Sequence, residues 1–346
     1  MRLLTRLLVV LAVLVPVSSP VVASAKEHTS VTVMTRNLYL GSDLTPALTA
    51  PSAPAFLGAV AQIWGTVQFT SYPTRAGALA DEIAGAKPDL VGLEEVSKWT
   101  VTGPSPTPSM DFLAILQQRL ADRGLHYVVA AVSDNADIGP VPLVGPACSS
   151  ATLGACLLRL QDRDVILVNA DRSGLSVSGA RHGAYVHQQI VTTPVGAVSF
   201  SRGWASVQVA LLGRSFRFAV THLETEDSPA VQEAQGREFR TAVQAAGAVL
   251  AVGDFNSAAD GSNTTTYADL TSDYFRDAAA GIGQTCCQDG TLAVPTSQLH
   301  ERIDLVLSHG PLQPVSATRT GTVPFEAAPP FWASDHAGVV ATLRVP

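Results

Sequence analysis

Six short apolar runs in this chain end in, or open from, side chains that bind cations or carry protons. Residues 31–34 lead to Asn37, residues 90–93 to Glu94-Glu95, and residues 218–220 to Thr221-His222. Residues 249–252 lead to Gly253-Asp254-Phe255-Asn256, Asp304 follows Arg302-Ile303 at the head of another run, and Ser334-Asp335-His336 enters the last one. Carboxylate and amide oxygens are hard donors that suit Mg²⁺, Mn²⁺ or Ca²⁺ better than zinc. Imidazoles take a proton from water, or steady and protonate a leaving oxygen, near neutral pH. Together they form a set for hydrolysing phosphate esters: a cation neutralises the phosphate while a base activates water. Singly they say little, since a Glu-Glu pair after a strand is usually a solvated turn and a lone His usually structural.

Such groups act together only if their runs are strands of one core whose ends converge on a rim. The runs at 31–34, 90–93, 165–168, 206–211, 215–220, 248–252, 303–307 and 338–345 are too short for helices and read as strands. Residues 165–168 and 248–252 are apolar at successive positions, which suits strands covered on both faces. The runs on either side of Gly213-Arg214 read as a hairpin. Between the strands, helices are predicted at 74–86, with Leu79 and Ile83 one turn apart and Pro88 as the stop, and at 111–123, with Phe112, Ile115, Leu116 and Leu120 on one face and Gly124 beyond. A third starts at Asp227-Ser228-Pro229 and runs to about residue 246, with Phe239 and Val243 inward. Strands and helices alternating from end to end indicate an α/β class, with residues 26–346 as a single domain. Residues 102–109, rich in Pro and Ser, read as a surface loop.

No charged residue lies between Asp43 and Arg75, where Phe56, Val60, Ile63, Trp64 and Val67 recur at helical spacing. That pattern predicts a helix laid over the core. A second reading is an apolar cap beside the site, able to touch a greasy substrate.

Residues 1–25 place Arg2 and Arg6 before an apolar run that ends near Val17, followed by Ala23-Ser24-Ala25. That order predicts an export signal cleaved after Ala25, hence a secreted protein with no stable membrane anchor. The 22 Lys and Arg of the chain include Arg2 and Arg6, so 20 remain against 29 Asp and Glu, a net charge of −9. Only three of these are Lys, and no basic run occurs, so a broad electrostatic grip on nucleic acid is not evident. Cys148, Cys156, Cys286 and Cys287 suit two disulfides in an oxidising compartment, with three pairings open. They read as staples, since no His lies at zinc-like spacing from either pair.

The ordered motifs from Asn37 to His336 resemble the endonuclease/exonuclease/phosphatase family, which includes pancreatic-type deoxyribonuclease, abasic-site endonucleases, inositol-phosphate phosphatases and neutral sphingomyelinases. Gly253-Asp254-Phe255-Asn256, Arg302-Ile303-Asp304 and Ser334-Asp335-His336 carry the resemblance most specifically. It implies a four-layer α/β sandwich, two packed and mostly antiparallel β-sheets flanked by helices. It also implies roles: Glu95 as principal metal ligand, Asn37 beside metal and phosphate, and Asp335 on a metal or the phosphate. Asp254 and Asn256 would hold the attacking water or phosphate oxygens, His336 would be the general base oriented by Asp304, and His222 would donate to the phosphate or leaving oxygen. In the deoxyribonuclease branch a Glu pairs with the position of His222; here Asp162 and Asp164 are the candidates. The remaining histidines match no motif and default to surface or structural roles.

The implied activity is a Mg²⁺-dependent (or Mn²⁺- or Ca²⁺-dependent) phosphoesterase, expected as a monomer. Phe325, Phe331 and Trp332 before Ser334, with Phe56 and Trp64, favour a lipid or small organic phosphodiester. A secreted nuclease is the alternative substrate class, and a non-catalytic binding protein on the same fold is a third reading.

Overall fold

A computed structural model of the chain describes residues 29–104, 107–146, 148, 150 and 152–346. The expected export signal lies outside them. Two sheets are each built round a parallel pair of strands. In the first, β1 (Thr29–Asn37) runs parallel to β2 (Leu90–Glu94), with Asn37 opposite Glu94. Beyond β1 lie β16 (Gly338–Val345) and β15 (Gln313–Thr320). Beyond β2 lie β6 (Leu157–Asn169), β3 (Lys98–Thr102) and β4 (Thr107–Asp111), and β5 (Tyr127–Pro142) also pairs with β6. In the second sheet β11 (Arg214–His222) runs parallel to β12 (Val249–Asp254). It continues through β14 (Asp304–His309) to β13 (Arg276–Asp277) on one side, and through β10 (Gly203–Leu211) to β7 (Leu175–Ala184) on the other. Every other pair in both sheets is antiparallel. A separate hairpin joins β8 (Gln189–Thr193) to β9 (Gly196–Phe200).

Parallel neighbours need a crossover, and helices supply it. Between β1 and β2 come α1 (Thr45–Leu48), α2 (Ala53–Phe69) and α3 (Tyr72–Ala86). Following β4, α4 (Phe112–Ala121) packs with them. Between β11 and β12 runs α5 (Pro229–Val243), joined on that face by α6 (Thr266–Thr271). Strand alternation sorts the apolar side chains into layers. Val31, Val33 and Leu90 face the opposite sheet, where Phe218, Leu250 and Val252 meet them. Met34, Val91 and Leu93 face the helices, packing with Leu79, Ile83 and Phe112. On the far side Ala251 and Leu305 pack with Phe239 and Val243 of α5. The result is the four-layer sandwich implied by the motifs.

The uncharged stretch forms α1 and α2, with Phe56, Val60, Ile63, Trp64 and Val67 buried as their spacing predicts. Ser52 caps α2 by accepting from the Ala55 N–H at 3.3 Å. The strands β3, β4, β5, β7, β8, β9, β13 and β15 lie outside the eight runs read as strands, and β4 begins within the 102–109 stretch read as a loop; β5 is interrupted by polar residues and β7 is largely exposed. Cys148 bonds to Cys156, and adjacent Cys286 and Cys287 pair with each other.

At Gly92 the two sheets pack without room for a side chain. A Cβ there would lie 2.4 Å from Val252 Cγ2 and 2.9 Å from Val220 Cγ2. Gly92→Ala is therefore expected to lower the unfolding free energy by about 1–3 kcal/mol, the cost of overpacking a filled core. Adding Val252→Ala should recover part of that loss in denaturant titrations; a neutral Gly92→Ala would show that the sheets have slack.

Candidate active site

Register brings the polar strand ends together. Asn37 stands opposite Glu94, His222 opposite Asp254, and Asp254 opposite Asp304. The two parallel pairs therefore end at one rim, and antiparallel β14 begins there. Glu95, Asp162, His222, Asp254, Asn256, Asp335 and His336 line a single cleft.

Three residues at this rim, Tyr39, Glu95 and Asn256, adopt left-handed backbone conformations with φ of 58°, 53° and 48°. Such geometry strains a residue with a Cβ and is held by its surroundings. At Glu95 it turns the chain out of β2, so the two adjacent acids part. Glu94 is buried on the inner face and accepts from Thr35 Oγ1 at 2.8 Å. Glu95 turns to the cleft, where Oε2 accepts from the Leu40 N–H at 2.6 Å. The Asn37 amide donates to Glu95 Oε1 at 3.3 Å and to Asp254 Oδ2 at 3.1 Å, while its oxygen accepts from the Tyr39 N–H at 2.8 Å. Asn37 thus ties two carboxylates from different sheets. Asp254 Oδ1 accepts from the Asn256 N–H at 2.9 Å, and the Asn256 amide donates to the Leu223 carbonyl at 2.9 Å.

His336 Nδ1 lies 2.9 Å from Asp304 Oδ2, the pairing expected from the motifs. Its Nε2 faces Asp254 Oδ2 at 3.7 Å and Asp335 Oδ1 at 4.0 Å. Burial disfavours the charged ring, yet Asp304, Asp254 and Asp335 outweigh it and hold the His336 pKa well above the usual imidazole value. The Sγ atoms of Cys286 and Cys287 lie 3.6 and 3.9 Å from Nε2, a proximity that sequence spacing hid.

His222 differs. Its Nε2 is 3.5 Å from Asp254 Oδ2, but Nδ1 faces Arg202 Nη1 at 2.9 Å. Neither Asp162 nor Asp164 hydrogen-bonds the ring among the described residues, although both lie beside it. Burial and the Arg202 charge push the His222 pKa well below the usual value. The ring is neutral, accepts at Nδ1 and presents an Nε2–H to the cleft. Asp162 accepts from Ser97 Oγ at 3.1 Å, and buried Asp164 has its pKa raised well above the usual carboxylate range by burial and by Asp162.

Buried cations hold the loops that carry these groups. Arg36 donates to the His336 carbonyl and, at 3.0 Å, to Glu82. Ser334 Oγ donates to the Asn37 carbonyl at 2.8 Å and accepts from the His336 N–H at 3.1 Å. Arg75, fully buried in α3, donates to the carbonyls of Leu38, Tyr39, Thr70 and Ala333 at 2.7–2.9 Å. Burial lowers its pKa to about 10.

The carboxylates repel one another. Burial first, then Asp335 and Asp162, raise Glu95 to about 7, and burial with Asp304 raises Asp254 to about 7. Oxygen donors that resist carrying their own charge fit a divalent cation, which would relieve the repulsion. Asp304 Oδ1 also has no hydrogen-bond partner.

No protein-family model matches the chain, and no curated protein matches it. Solved structures do. An endonuclease/exonuclease/phosphatase family protein from Leptotrichia buccalis C-1013-b superposes with a TM-score of 0.56 at 13% identity, over 91% of this chain and 99% of that one. An endonuclease/exonuclease/phosphatase from Beutenbergia cavernae DSM 12333 gives 0.54 at 22% identity, over 91% and 72%. D. rerio TDP2 complexed with single strand DNA product gives 0.54 at 15% identity, over 91% and 99%. At these identities the likeness is one of fold, and it is the fold that the motifs implied.

The raised carboxyls make folding pH-dependent. Between their ordinary values, near 4, and about 7, the folded protein keeps protons that the unfolded chain has lost, so stability falls as pH rises through that window. His336, raised in the folded state, loses its contribution in the same direction as pH climbs through its folded pKa. In chelator the thermal midpoint should be higher at pH 5.5 than at pH 8, and Mg²⁺ at pH 8 should raise it again. A flat profile would contradict this electrostatic account.

Proposed function

We propose that this protein is a divalent-metal-dependent phosphoesterase that hydrolyses phosphodiesters. One observation carries the reading: Glu95, Asp254, His222 and the His336–Asp304 pair, from separate strand ends of two sheets, meet in one cleft. Glu95 and Asp335, with Asn37 beside them, would hold the cation, for which Mg²⁺ is the first choice and Mn²⁺ or Ca²⁺ the alternatives. When bound, the cation supplies neutralisation of phosphate charge and polarisation of the phosphoryl oxygens.

The protein groups divide the remaining work. Asp304 fixes Nδ1 of His336 so that Nε2 faces the cleft beside Asp254, where both can reach one water on the cleft side. That water gives its proton to Nε2 as it attacks phosphorus. Of the carboxylates that raise the His336 pKa, Asp335 is one that would hold the cation, and a cation there would lessen its pull on the ring proton. Asp254 and Asn256 orient the water and a phosphoryl oxygen. His222, neutral and donating from Nε2, hydrogen-bonds the phosphate or leaving oxygen, and Arg202 behind it adds positive charge.

Seven carboxylates and one Arg or Lys side chain, Arg202, line the cleft. A wall of that sign repels a polyanionic backbone, which favours a lipid or small organic diester over nucleic acid. The nuclease reading rests on the fold shared with TDP2 bound to a single-strand DNA product. In the same reading residues 1–25 direct export and residues 26–346 form one catalytic unit.

Hydrolysis of bis-(p-nitrophenyl) phosphate with Mg²⁺ and with chelator tests the activity; no metal-dependent turnover would favour a binding protein instead. Plasmid DNA assayed beside sphingomyelin vesicles separates the substrate classes. His336→Ala should lower turnover by about two to four powers of ten with the fold intact, the size of a lost general base; full activity would remove that role. Glu95→Gln should raise the half-saturating Mg²⁺ concentration about tenfold or more, and a loss of stability without that shift would show that Glu95 is not a ligand.

A further inference from the structure

Beside the cleft lies a second cavity of a different character. Phe56, Val60 and Ile63 of α2 form one wall, and Trp99 of β3, Leu158 of β6 and Val198 of β9 form much of the rest. Every side chain that lines it is apolar. Leu44, Leu48, Ile138, Leu160 and Phe200 line both this cavity and the cleft. Strand β6 shows the change of character directly: Leu158 lines the apolar cavity, Leu160 both spaces, and Asp162 the cleft. These residues point to one face of the strand, each about 7 Å beyond the last.

An apolar hollow that shares five lining side chains with a phosphate-handling cleft is placed to take the apolar part of whatever the cleft binds. We propose that the cavity is a substrate subsite for an unbranched aliphatic ester arm, so that the diester bound here carries one alkyl substituent held under α2 while its phosphorus lies among Glu95, Asp254 and His336. This rests on the phosphodiesterase reading and specifies its substrate. The uncharged span between Asp43 and Arg75 is what such a subsite requires: a Lys or Glu on α1 or the inner face of α2 would lose its hydration whenever the arm entered. In the reaction, water supplies the new P–O bond, the opposite ester oxygen leaves with its bonding pair, and the alkyl arm stays on the phosphate product.

A homologous series of p-nitrophenyl n-alkyl phosphates, from methyl to octyl, below micelle-forming concentrations and with saturating Mg²⁺, tests the subsite. In the wild-type protein kcat/KM should rise about three- to fourfold per methylene, mainly through KM, and level off when the cavity is full. Val60→Phe, which fills the cavity, and Leu48→Asp, which charges its mouth, should each reduce the octyl-to-methyl ratio of kcat/KM toward unity. Metal-dependent hydrolysis with no dependence on chain length would overturn the subsite and leave the phosphodiesterase reading standing. No metal-dependent hydrolysis of any member would overturn both. A chain-length slope that survives in both variants would show that the arm binds elsewhere.

Discussion

Carboxylates kept from water repel one another, and the cleft is organised around that repulsion. Glu94, Glu95, Asp164, Asp254, Asp304 and Asp335 all have acid groups within one small region, five of them with pKa values raised by burial and neighbouring charge. An arrangement of this kind persists only when something else fixes the backbone, since the side chains themselves push apart. Here the fixing elements are strand registry, the Asn37 amide that joins Glu95 to Asp254, and the His336 ring held by Asp304, whose charged form the surrounding carboxylates favour. A bound cation would relieve that repulsion.

Topology explains why six distant stretches meet. Each sheet has a central parallel pair, and a parallel pair presents two C-terminal ends side by side. Because the sheets pack face to face, Asn37 and Glu94 of one come over His222 and Asp254 of the other. The strand that brings Asp304 runs the opposite way and so contributes its first residue. Arg75 then closes the arrangement from the helical side. Among the described residues its guanidinium has no carboxylate ion-pair partner and is satisfied by four carbonyls from three stretches of chain, which clamps the exit of β1 against the loop leading to Ser334-Asp335-His336.

Much of this was legible in the residues. Apolar runs with polar ends placed eight strands near their observed positions, and the family resemblance of the motifs implied the His336–Asp304 pair. Other features depend on geometry that composition does not encode. The parting of Glu94 from Glu95 needs a left-handed residue that no Gly or Asn announces. The pairing of His222 with Arg202 was missed because a carboxylate was sought. A signal did exist: counting back from the hairpin turn through Trp204 opposite Thr221 brings the next residues, Gly203 and Arg202, beside His222. Strands β5 and β7 escaped because one carries polar interruptions and the other is mostly exposed, so neither shows a continuous apolar face. The nearness of Cys286 and Cys287 to His336 spans 49 residues or more and is a product of folding alone.

Leu40 links two parts of the molecule that have opposite chemistry. Its N–H donates to Glu95, and its carbonyl accepts from the indole Nε1 of Trp99 at 2.8 Å. Peptide planes are stiff, so only the φ and ψ of this residue lie between the two hydrogen bonds. The seat of the indole and the pitch of the carboxylate are therefore both referenced to one residue's backbone, so the greasy wall and the charged floor share a single hinge of two dihedral angles.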